Sequence, residues 1–445
     1  TLSVEKTGEL VPDGQVFTVK DGASLVFEYC PGLGRHTVKA VATYKGETKT
    51  DEKADAFAVL PTKVYVNKTG SGTFPYASFE TGTDNITEAL SALWKSNDET
   101  TTVEVDEGEY DLGSPVVVQY AVAIVGQDKE QTILKGRAMS ARLLTLDDAK
   151  ARLEGVTVSD AVSQGALHVK DGTVDNCRIV NCTTGESETG AGAKMDGGKI
   201  LNSEFDRCVV ASYMAKGGGL AILGKTALVS NCVFTACQAS AGTREPENHG
   251  GGAIYAQNGT VTHCKIVNCS EDASHRGQGT AVWSVNGTGD TSNFTLRNCL
   301  IAGCRSFNTE VIVLKAGTME NCTVADNTMP TGVAAVDCGG TVRNCVVWNG
   351  CTDIAVNGSG SVSYSCYSNA TEGEDGNTAS DPKLRGVKHG EYKISSKSKA
   401  FRAGAVQGWM TGATDILGNP RLTDDKVDMG CYQVGFDPGL MLLVK

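Results

Sequence analysis

The sequence predicts an all-β protein whose main part is a right-handed parallel β-helix, a solenoid of short strands. A cysteine-containing phrase recurs at intervals of 21 to 35 residues, and the 445 residues include 53 glycines but only 10 prolines. A period of this size with variable insertions is typical of a solenoid. Each repeat holds short β-prone stretches separated by turn residues. Leucine-rich, ankyrin and tetratricopeptide arrays are excluded because their repeats are partly or wholly helical.

The composition excludes several other classes of protein. Hydrophobic residues make up 40% and charged residues 21% of the chain, which is enough apolar material for a buried core. The net charge is −12, from 40 basic and 52 acidic residues, and this argues against a nucleic-acid partner. No apolar run approaches the ~18 residues of a membrane span. The first ten residues, TLSVEKTGEL, lack the features of a signal peptide, so an exported form would be a mature chain.

The recurring phrase has the pattern NCxxxxC. Intact copies are NCRIVNC (176–182), NCVFTAC (231–237) and NCLIAGC (298–304), while HCKIVNC (263–269) begins with histidine. The phrases define a first column of cysteines, in which Ser203 replaces one member: Cys177, Cys232, Cys264, Cys299, Cys322, Cys345 and Cys366. They also define a second column: Cys182, Cys208, Cys237, Cys269 and Cys304.

Side-chain alternation predicts a sharp corner in front of the first column. Val174 and Ile179 should both face inward, but they are five residues apart, so an uninterrupted strand cannot place them on one face. A bend between Asn176 and Cys177 restores the phase, because asparagine tolerates the left-handed backbone region. Asparagine recurs at this position as Asn176, Asn202, Asn231, Asn298, Asn321 and Asn344. We expect these side chains to stack, each amide bonding the next, and the second cysteine to mark a second corner.

Three interpretations of the cysteines stay open. They are unpaired thiols that pack as small hydrophobic groups at tight corners, or disulfides between neighbouring coils, whose Cα atoms would lie within bonding range, or metal ligands. The third interpretation lacks a tetrahedral set of four ligands.

The regions flanking the repeats have different patterns. Residues 1–61 alternate apolar and polar positions between glycine-containing turns, which predicts a small Ig-like β-sandwich. Residues 62–370 form the predicted β-helix, and TDNITEALSALW (83–94) is a helix expected to cover its first coil, with Asn85 and Glu88 as a capping box. Residues 371–445 are expected to form the end or cap of the solenoid.

Several motifs resemble known secreted β-helix proteins. VYVNKTGSGT, a helix and VEVDEGEYDL resemble the start of pectate-lyase-like proteins, and GGGLAI (217–222) and GGGAIY (250–255) resemble repeats of polymorphic outer-membrane adhesins. The segment DILGNPRLTDDKVDMGCYQ (415–433) resembles the terminal motif of the choice-of-anchor Q family, with Gln433 where an acidic residue is usual. The resemblance implies an extracellular or bacterial cell-surface protein. It does not supply a chemistry, since many activities share this scaffold.

Long insertions follow the second corner in successive coils, at residues 183–193, 238–250 and 270–279. Insertions at one coil position emerge on one face. If this face is a site, the catalytic candidates are Glu245, Glu247, His249, Asp272 and His275. The candidates for substrate binding are Arg244, Asn248, Arg276, Glu186 and Glu271. Among the candidates, Arg244, Arg276, His249 and His275 are those expected to bind acidic sugar groups. A solvated loop surface is the alternative. No cofactor is expected, although the acidic residues could hold Ca²⁺.

Three functions are compatible with these patterns. The first is a non-catalytic, adhesin-like protein that binds a polysaccharide or cell-surface glycan. The second is a lyase or glycoside hydrolase acting on an acidic polysaccharide, although the family motifs of such enzymes are absent. The third is a structural spacer in a larger surface protein.

Overall fold

The computed structural model describes residues 2–6, 9–11, 32–44, 47–185, 189–212, 215–241, 249–271, 277–285 and 294–434. The chain divides into two units, Thr1–Asp106 and Glu107–Lys445. No helix of the described residues is long and apolar enough to cross a membrane.

The first unit contains an antiparallel sheet. In spatial order its strands are Glu9–Val11, Leu2–Lys6, Gly34–Tyr44 and Glu47–Val59. The last two form a long hairpin with a register shift between His36 and Val38. An Ig-like sandwich needs a second sheet, and residues 12–31, which include the alternating stretches QVFTVK and SLVFEYC, lie outside the described residues. The sandwich therefore stays a prediction.

The first unit also contains the predicted helix, which is shorter than expected. It spans Ile86–Ser91 and contacts the parallel strands Lys63–Val66 and Thr101–Val105. Asn85 Oδ1 accepts hydrogen bonds from the backbone N–H of Thr87 at 2.9 Å and of Glu88 at 3.3 Å. Glu88 accepts from the Thr83 hydroxyl at 2.9 Å. Only the asparagine half of the predicted capping box is thus present.

The second unit is a parallel solenoid in which each coil passes through sheets 1, 2 and 3 in turn. Sheet 1 contains Val116–Val118, Leu144–Leu146, Leu167–Val169, Ala193–Met195, Leu220–Ile222, Ile254–Ala256, Val282–Ser284, Ile312–Leu314, Val336–Cys338 and Ile354–Val356. Within this unit, sheet 2 contains Val122–Gly126, Arg152–Glu154, Thr173–Asp175, Lys199–Leu201, Leu228–Ser230, Thr260–Thr262, Thr295–Arg297, Thr318–Glu320, Thr341–Arg343 and Ser361–Ser363.

Sheet 3 follows the asparagine corner, and a shorter sheet 4 follows the second corner. Sheet 3 contains Gly108–Asp111, Thr132–Lys135, Thr157–Ser159, Arg178–Val180, Glu204–Asp206, Val233–Thr235, Lys265–Val267, Leu300–Ala302, Thr323–Ala325, Val346–Trp348 and Cys366–Tyr367. Sheet 4 contains Thr183–Thr184, Val209–Ser212, Gln238–Ala241 and Ser270–Glu271. The repeat region is thus a stack of coils, as the sequence predicts.

The core of the solenoid is built from in-register inward columns. On sheet 3, Ile179, Phe205, Phe234 and Ile266 occupy matching positions in successive coils. The Phe205 and Phe234 rings stack with centroids 4.8 Å apart and planes 11° apart. All four side chains are fully buried. Because like residues repeat at the coil spacing, each coil covers the apolar surface of the one before it.

Both predicted corners are present and have left-handed backbone. The residue before each first-column position has a φ of 48° to 55°, as in Asn176, Asn321 and His263. The residue before the second-column cysteine is also left-handed, with φ of 54° at Asn181 and 50° at Arg207. The five-residue spacing of inward side chains therefore predicted the first corner correctly.

The thiols of both columns are free, buried and hydrogen-bonded. No disulfide joins the cysteines of the described residues. Cys177 Sγ lies 3.2 Å from the Asp175 carbonyl oxygen, and Ser203 Oγ donates to the equivalent Leu201 oxygen at 2.6 Å. Cysteine and serine exchange here because both are small and both donate a hydrogen bond. Burial raises the pKa of Cys177 to about 12, so its thiol stays protonated.

The asparagine stack is only partly as predicted. Asn231 Nδ2 donates to Asn202 Oδ1 at 2.7 Å, and Asn344 Nδ2 approaches Asn321 Oδ1 at 3.4 Å. Elsewhere the amides bond other groups. Asn202 Nδ2 donates to Asp175 at 2.8 Å, and Asn321 Nδ2 donates to the Asp428 carbonyl at 3.2 Å. The continuous ladder is interrupted where another part of the chain supplies a better acceptor.

The assignment of Cys366 to the first column is wrong. Thr341 pairs with Ser361 and Val346 pairs with Cys366, so Ser365 lies opposite Cys345. The Cys345 N–H donates to the Ser365 hydroxyl at 3.1 Å. Tyr364 takes the left-handed corner with φ of 48°. Cys366 follows the column position by one residue, and Ser365 occupies the column instead.

Residues 381–434, the C-terminal layer, lie along the side of the solenoid. The short helical turns Glu374–Gly376, Val387–His389 and Gly408–Met410 are the only regular elements described beyond the last strand. An apolar cluster joins the layer to the outer side of sheet 3: Leu300, Ala302, Ala325, Tyr392, Ile416, Cys431 and Tyr432. The expectation of an end cap is thus incomplete, because this region folds back over earlier coils.

Buried charge holds the C-terminal layer together. Asp415 accepts hydrogen bonds from the backbone N–H groups of Leu417, Asn419 and Gln433 at 2.8–2.9 Å. Arg421 donates to the carbonyl oxygens of Asp428 and Gly430 at 2.8 and 2.5 Å. Asp415, Arg421 and Asp428 are fully buried. The terminal sequence motif is therefore structural, since its charged groups bind backbone within the layer.

Candidate functional site

The predicted insertions leave and re-enter the solenoid in register. They leave from sheet 4, whose strands pair in parallel between successive coils. They return through a ladder of single bridges that joins Thr189, Lys216, Gly250 and Gln278. Because exits and returns are both stacked, the insertions emerge on one face, as predicted. We call this side the loop face.

Glycine is required at the returns because backbone segments meet there. Gly217 and Gly251 follow the bridged residues and have φ of 69° and 67°. A Cβ atom on Gly218 would lie 2.2 Å from the Gln238 carbonyl oxygen and 2.4 Å from that of Gly252. The GGGLAI and GGGAIY motifs are therefore packing motifs at the base of the loop face.

Most of the predicted site residues lie outside the described part of the chain. These are Glu186, Arg244, Glu245, Glu247, Asn248, Asp272, His275 and Arg276. The two that are described, His249 and Glu271, lie side by side. A Cβ atom on Gly277 would lie 3.6 Å from His249 Nε2 and 3.4 Å from Glu271 Oε2. The structure thus brings together these two candidates.

Glu271 is an anchor rather than an open carboxylate. Its Oε1 accepts hydrogen bonds from the Phe307 N–H at 2.8 Å, the Asn308 N–H at 2.6 Å and the Ser306 hydroxyl at 3.1 Å. Burial raises its pKa, while the hydrogen bonds oppose that shift. His249 is 2% exposed and Glu271 4% exposed. Neither side chain can reach a polymer on the protein surface as the structure stands.

Arg142 plays a matching part at the first insertion. Its Nη1 donates to the carbonyl oxygens of Leu167 at 3.1 Å and Gly190 at 2.6 Å, and its Nη2 donates to Thr189. The guanidinium is buried, and these carbonyl oxygens replace water around the charge. Arg142 therefore fixes the point where residues 183–193 return to the solenoid.

The outward face of sheet 1 carries a column that is mostly polar and aromatic. The middle residue of each strand points outward, and the pairing places His168, Lys194, Ala221, Tyr255 and Trp283 in one column. His168 Nε2 lies 2.7 Å from Asp196 Oδ2, yet burial lowers the pKa of the imidazole. The signal for this column was the alternation within each sheet 1 strand.

An aromatic pair and a lysine form the centre of this face. The Tyr255 and Trp283 ring centroids are 5.1 Å apart, at an interplanar angle of 56°. Lys216 Nζ lies 5.4 Å from the Tyr255 centroid and 5.9 Å from the Trp283 centroid. Burial lowers the pKa of Lys216, and none of the described acidic side chains forms an ion pair with it. Tyr255 and Trp283 are 3% and 5% exposed, so their rings interact with the Lys216 ammonium more than with solvent.

Trp348 and Trp409 lie elsewhere. Trp348 follows the outer side of sheet 3, next to the C-terminal layer. The Arg297 guanidinium lies 4.1 Å from the Trp409 ring centroid. Both rings are half-buried in packing contacts. Among the described residues no group of three or more His, Cys, Asp or Glu side chains is placed to hold a metal ion.

Comparison with known proteins identifies the fold family. Residues 139–372 match the family described as "Right handed beta helix region", which is more than half of the chain. The chain belongs to the right-handed β-helix family. A comparison with curated proteins finds no match. A solved structure, "Crystal structure of Agl-KA catalytic domain", is similar at 12% identity and a TM-score of 0.27, over 59% of this chain. This β-helix protein spans 62% of the length of that structure.

Proposed function

We propose that this right-handed β-helix protein binds acidic polysaccharide along the outward face of sheet 1, without cleaving it. The observation that carries the proposal is Lys216, whose ammonium lies over Tyr255 and Trp283 with no carboxylate partner among the described residues. A cation that is partly desolvated and lacks its own counter-ion favours an anionic ligand. The carboxylate or sulfate of an acidic sugar supplies that charge.

The neighbouring coils extend the same face. Lys194 lies on sheet 1 one coil before Ala221 and, like Lys216, forms no ion pair with the described acidic residues. His168 precedes Lys194 by one more coil. Successive coils are about 4.8 Å apart, so groups on this column meet a polymer at regular intervals. A chain running along the solenoid would contact several of them at once.

Binding without cleavage is favoured by the positions of the described acid–base candidates. His249 and Glu271 are both buried, and one carboxylate oxygen of Glu271 already accepts hydrogen bonds from three donors. General acid–base catalysis requires a side chain within hydrogen-bond reach of the reacting bond. Glu271 instead holds the backbone of Phe307 and Asn308 in place.

A second function, polysaccharide lyase, is favoured by the same lysine. A lyase needs a base to remove a proton next to the sugar carboxylate, and burial lowers the pKa of Lys216 toward the range where a neutral amine is available. In this alternative Lys216 is the base, and removing its amine abolishes turnover.

One experiment separates the two functions. Wild type, Lys216→Met and the matched control Lys225→Met, an exposed lysine of the same coil, are tested against polygalacturonate, alginate, hyaluronan and a neutral glucan. Affinity electrophoresis measures binding, and absorbance of unsaturated products measures cleavage. We expect roughly tenfold weaker binding to an acidic polymer in Lys216→Met alone and no product. Equal binding by all three proteins would contradict the proposal, and product formation that Lys216→Met abolishes would establish the lyase.

We further propose that the protein works outside the cell or on the bacterial surface, as the sequence resemblance implies. Free cysteines are unusual in such a setting. The column thiols are compatible with it because they are fully buried, and burial raises the pKa of Cys177, Cys322 and Cys345. A protonated, inaccessible thiol reacts slowly with oxidants.

A further inference from the structure

A cavity lies at the asparagine corner, on a different part of the coil from the loop face. Its volume is about 570 Å³, and its lining includes Ser230 and Asn231 on one side and Thr414, Ile416 and Leu417 on the other. His263 forms the wall between them. The cavity therefore opens where the C-terminal layer ends against the corner between sheets 2 and 3.

The charged or ionisable groups around the cavity are already engaged. His263 Nε2 donates to the Thr414 carbonyl at 3.0 Å, and its Nδ1 lies 2.8 Å from the Thr262 hydroxyl oxygen. The Asp415 carboxylate accepts hydrogen bonds from three backbone N–H groups and is fully buried. The lining residues thus offer a ligand neither a free cation nor a free anion.

Neutral polar groups remain available to a ligand. Asn231 Nδ2 is used by Asn202, at 2.7 Å, so its amide offers an acceptor, Oδ1. Neither Asn231 Oδ1 nor the Ser230 hydroxyl forms a hydrogen bond with any other described residue. Asn231 is held at φ of 55°, which fixes the direction of its side chain. The floor of the cavity therefore favours a ligand with neutral hydroxyl donors.

An apolar wall faces this polar floor. Leu417 is 44% exposed although it is a large apolar side chain, and Ile416 beside it is nearly buried. A concave site with a few convergent polar groups and an apolar wall is the usual construction of a small-molecule site. A ligand that matches this lining is a ring with hydroxyl groups on its edge and C–H groups on its face.

We propose that this cavity binds a neutral sugar unit, independently of the acidic polymer proposed for the outward face of sheet 1. The sugar's hydroxyl groups donate to Asn231 Oδ1 and exchange hydrogen bonds with the Ser230 hydroxyl, and its C–H face contacts Leu417. His263 replaces asparagine at this coil, where its ring spans from Thr262 to Thr414 and forms the side wall.

The test uses variants that preserve the backbone. Asn231→Gly removes the amide but keeps the left-handed conformation, and Leu417→Ser removes the apolar wall at an exposed position. The matched control is Asn176→Gly, which makes the same change at an exposed corner with φ of 50° outside the cavity. The probes are methyl glycosides and linear oligosaccharides of glucose, galactose, mannose and N-acetylglucosamine. Calorimetry and saturation-transfer NMR measure binding, and circular dichroism checks the fold.

We expect one of these neutral probes to bind wild type and Asn176→Gly equally, with roughly tenfold weaker binding to Asn231→Gly and Leu417→Ser. Lys216→Met should leave this binding unchanged, which separates it from the site proposed on the outward face of sheet 1. Binding that is equal in all variants would overturn the proposal, as would the absence of binding at millimolar concentration.

Discussion

Two sides of the solenoid carry additional chain, and they are built differently. On the loop face the described anchors join nearby coils: Arg142 holds Thr189 and Gly190, 47 and 48 residues away, and Glu271 holds Phe307 and Asn308, 36 and 37 residues away. The C-terminal layer is one continuous segment whose contacts cross long sequence distances, such as that between His263 and Thr414, 151 residues apart. The loop face can therefore vary coil by coil, whereas the layer depends on several coils at once.

The largest expected effect tests whether the layer is held as a unit. Asp415→Ala removes the acceptor for three backbone N–H groups and one of the two carboxylates, Asp415 and Asp428, whose charges act on the buried Arg421 guanidinium. We expect the layer to lose about 3–5 kcal/mol in free energy of unfolding. Hydrogen exchange should show faster exchange throughout residues 381–434 and little change on the loop face. Asp424→Ala is the control, because Asp424 is exposed in its pair with Arg402. Protection lost only next to residue 415 would mean that the layer is not cooperative.

A second prediction tests whether the first and second corners of a coil contribute equally to stability. Cys232→Leu and Cys237→Leu enlarge a fully buried side chain at the first and second corner of one coil. Each should lower the free energy of unfolding by about 1–3 kcal/mol, because the corners have no space for the larger leucine side chain. Cys232→Ser should cost about 1 kcal/mol or less, since Ser203 and Ser365 occupy equivalent positions. Chemical denaturation measures the three values. A large difference between the two leucine variants would show that the corners themselves are unequal.

A third prediction isolates the contact between the layer and the corner. Asn321→Gly and Asn176→Gly keep nearly the same φ, 49° and 50°, but only Asn321 donates to Asp428 in the layer. We expect Asn321→Gly to cost about 1–2 kcal/mol and Asn176→Gly to cost less than about 0.5 kcal/mol. Thermal unfolding provides the comparison. Equal losses would mean that the layer takes no stability from the asparagine corner.

The smallest effect is a pH dependence at the loop face. Burial raises the pKa of Glu271 above the ordinary value of 4.5, so the folded protein holds this proton to higher pH than the unfolded chain does. The stability from this group is full below pH 4.5 and is lost as the pH rises through the folded-state pKa. Melting temperatures across pH 4 to 8 should fall more steeply for wild type than for Glu271→Gln.

Glu374→Gln is the control for this titration, because Glu374 is an exposed carboxyl group. A wild-type slope equal to that of Glu271→Gln would show that the pKa of Glu271 is the same in the folded and unfolded protein.

The sequence predicted the repeated part of this fold because each coil obeys local rules. The five-residue interval between Val174 and Ile179 required a bend, and Asn176 has the left-handed backbone that provides it. The prediction that Cys366 belongs to the first column was wrong because a degenerate repeat does not reveal its strand register. The pairing of Val346 with Cys366 establishes that register. Periodicity thus predicts a strand more securely than it predicts which of two adjacent residues enters a column.

The C-terminal layer and much of the candidate site could not be predicted in the same way. The layer has no repeat, and its position depends on distant contacts such as Asn344 with Ala405. His249 and Glu271 were selected as exposed groups of the insertions, but the backbone N–H groups of Phe307 and Asn308 stabilise the carboxylate in a buried position. Lys216 was missed because its role comes from the bridge that places it over Tyr255 and Trp283. Contacts of this kind join residues that are distant in the chain, so they produce no periodic pattern in the sequence.

The way the layer docks divides the solenoid into a part of adjustable length and a part of fixed length. Its hydrogen bonds fall on His263, Asn298, Asn321 and Asn344, so a coil added or removed among these would misalign every later attachment. Coils before Ser230 carry no such attachment among the described residues. A whole coil inserted there would lengthen the solenoid by about 4.8 Å while preserving its cross-section. The number of coils before Ser230 can therefore change, whereas the later coils must keep the number that their hydrogen bonds to the C-terminal layer require.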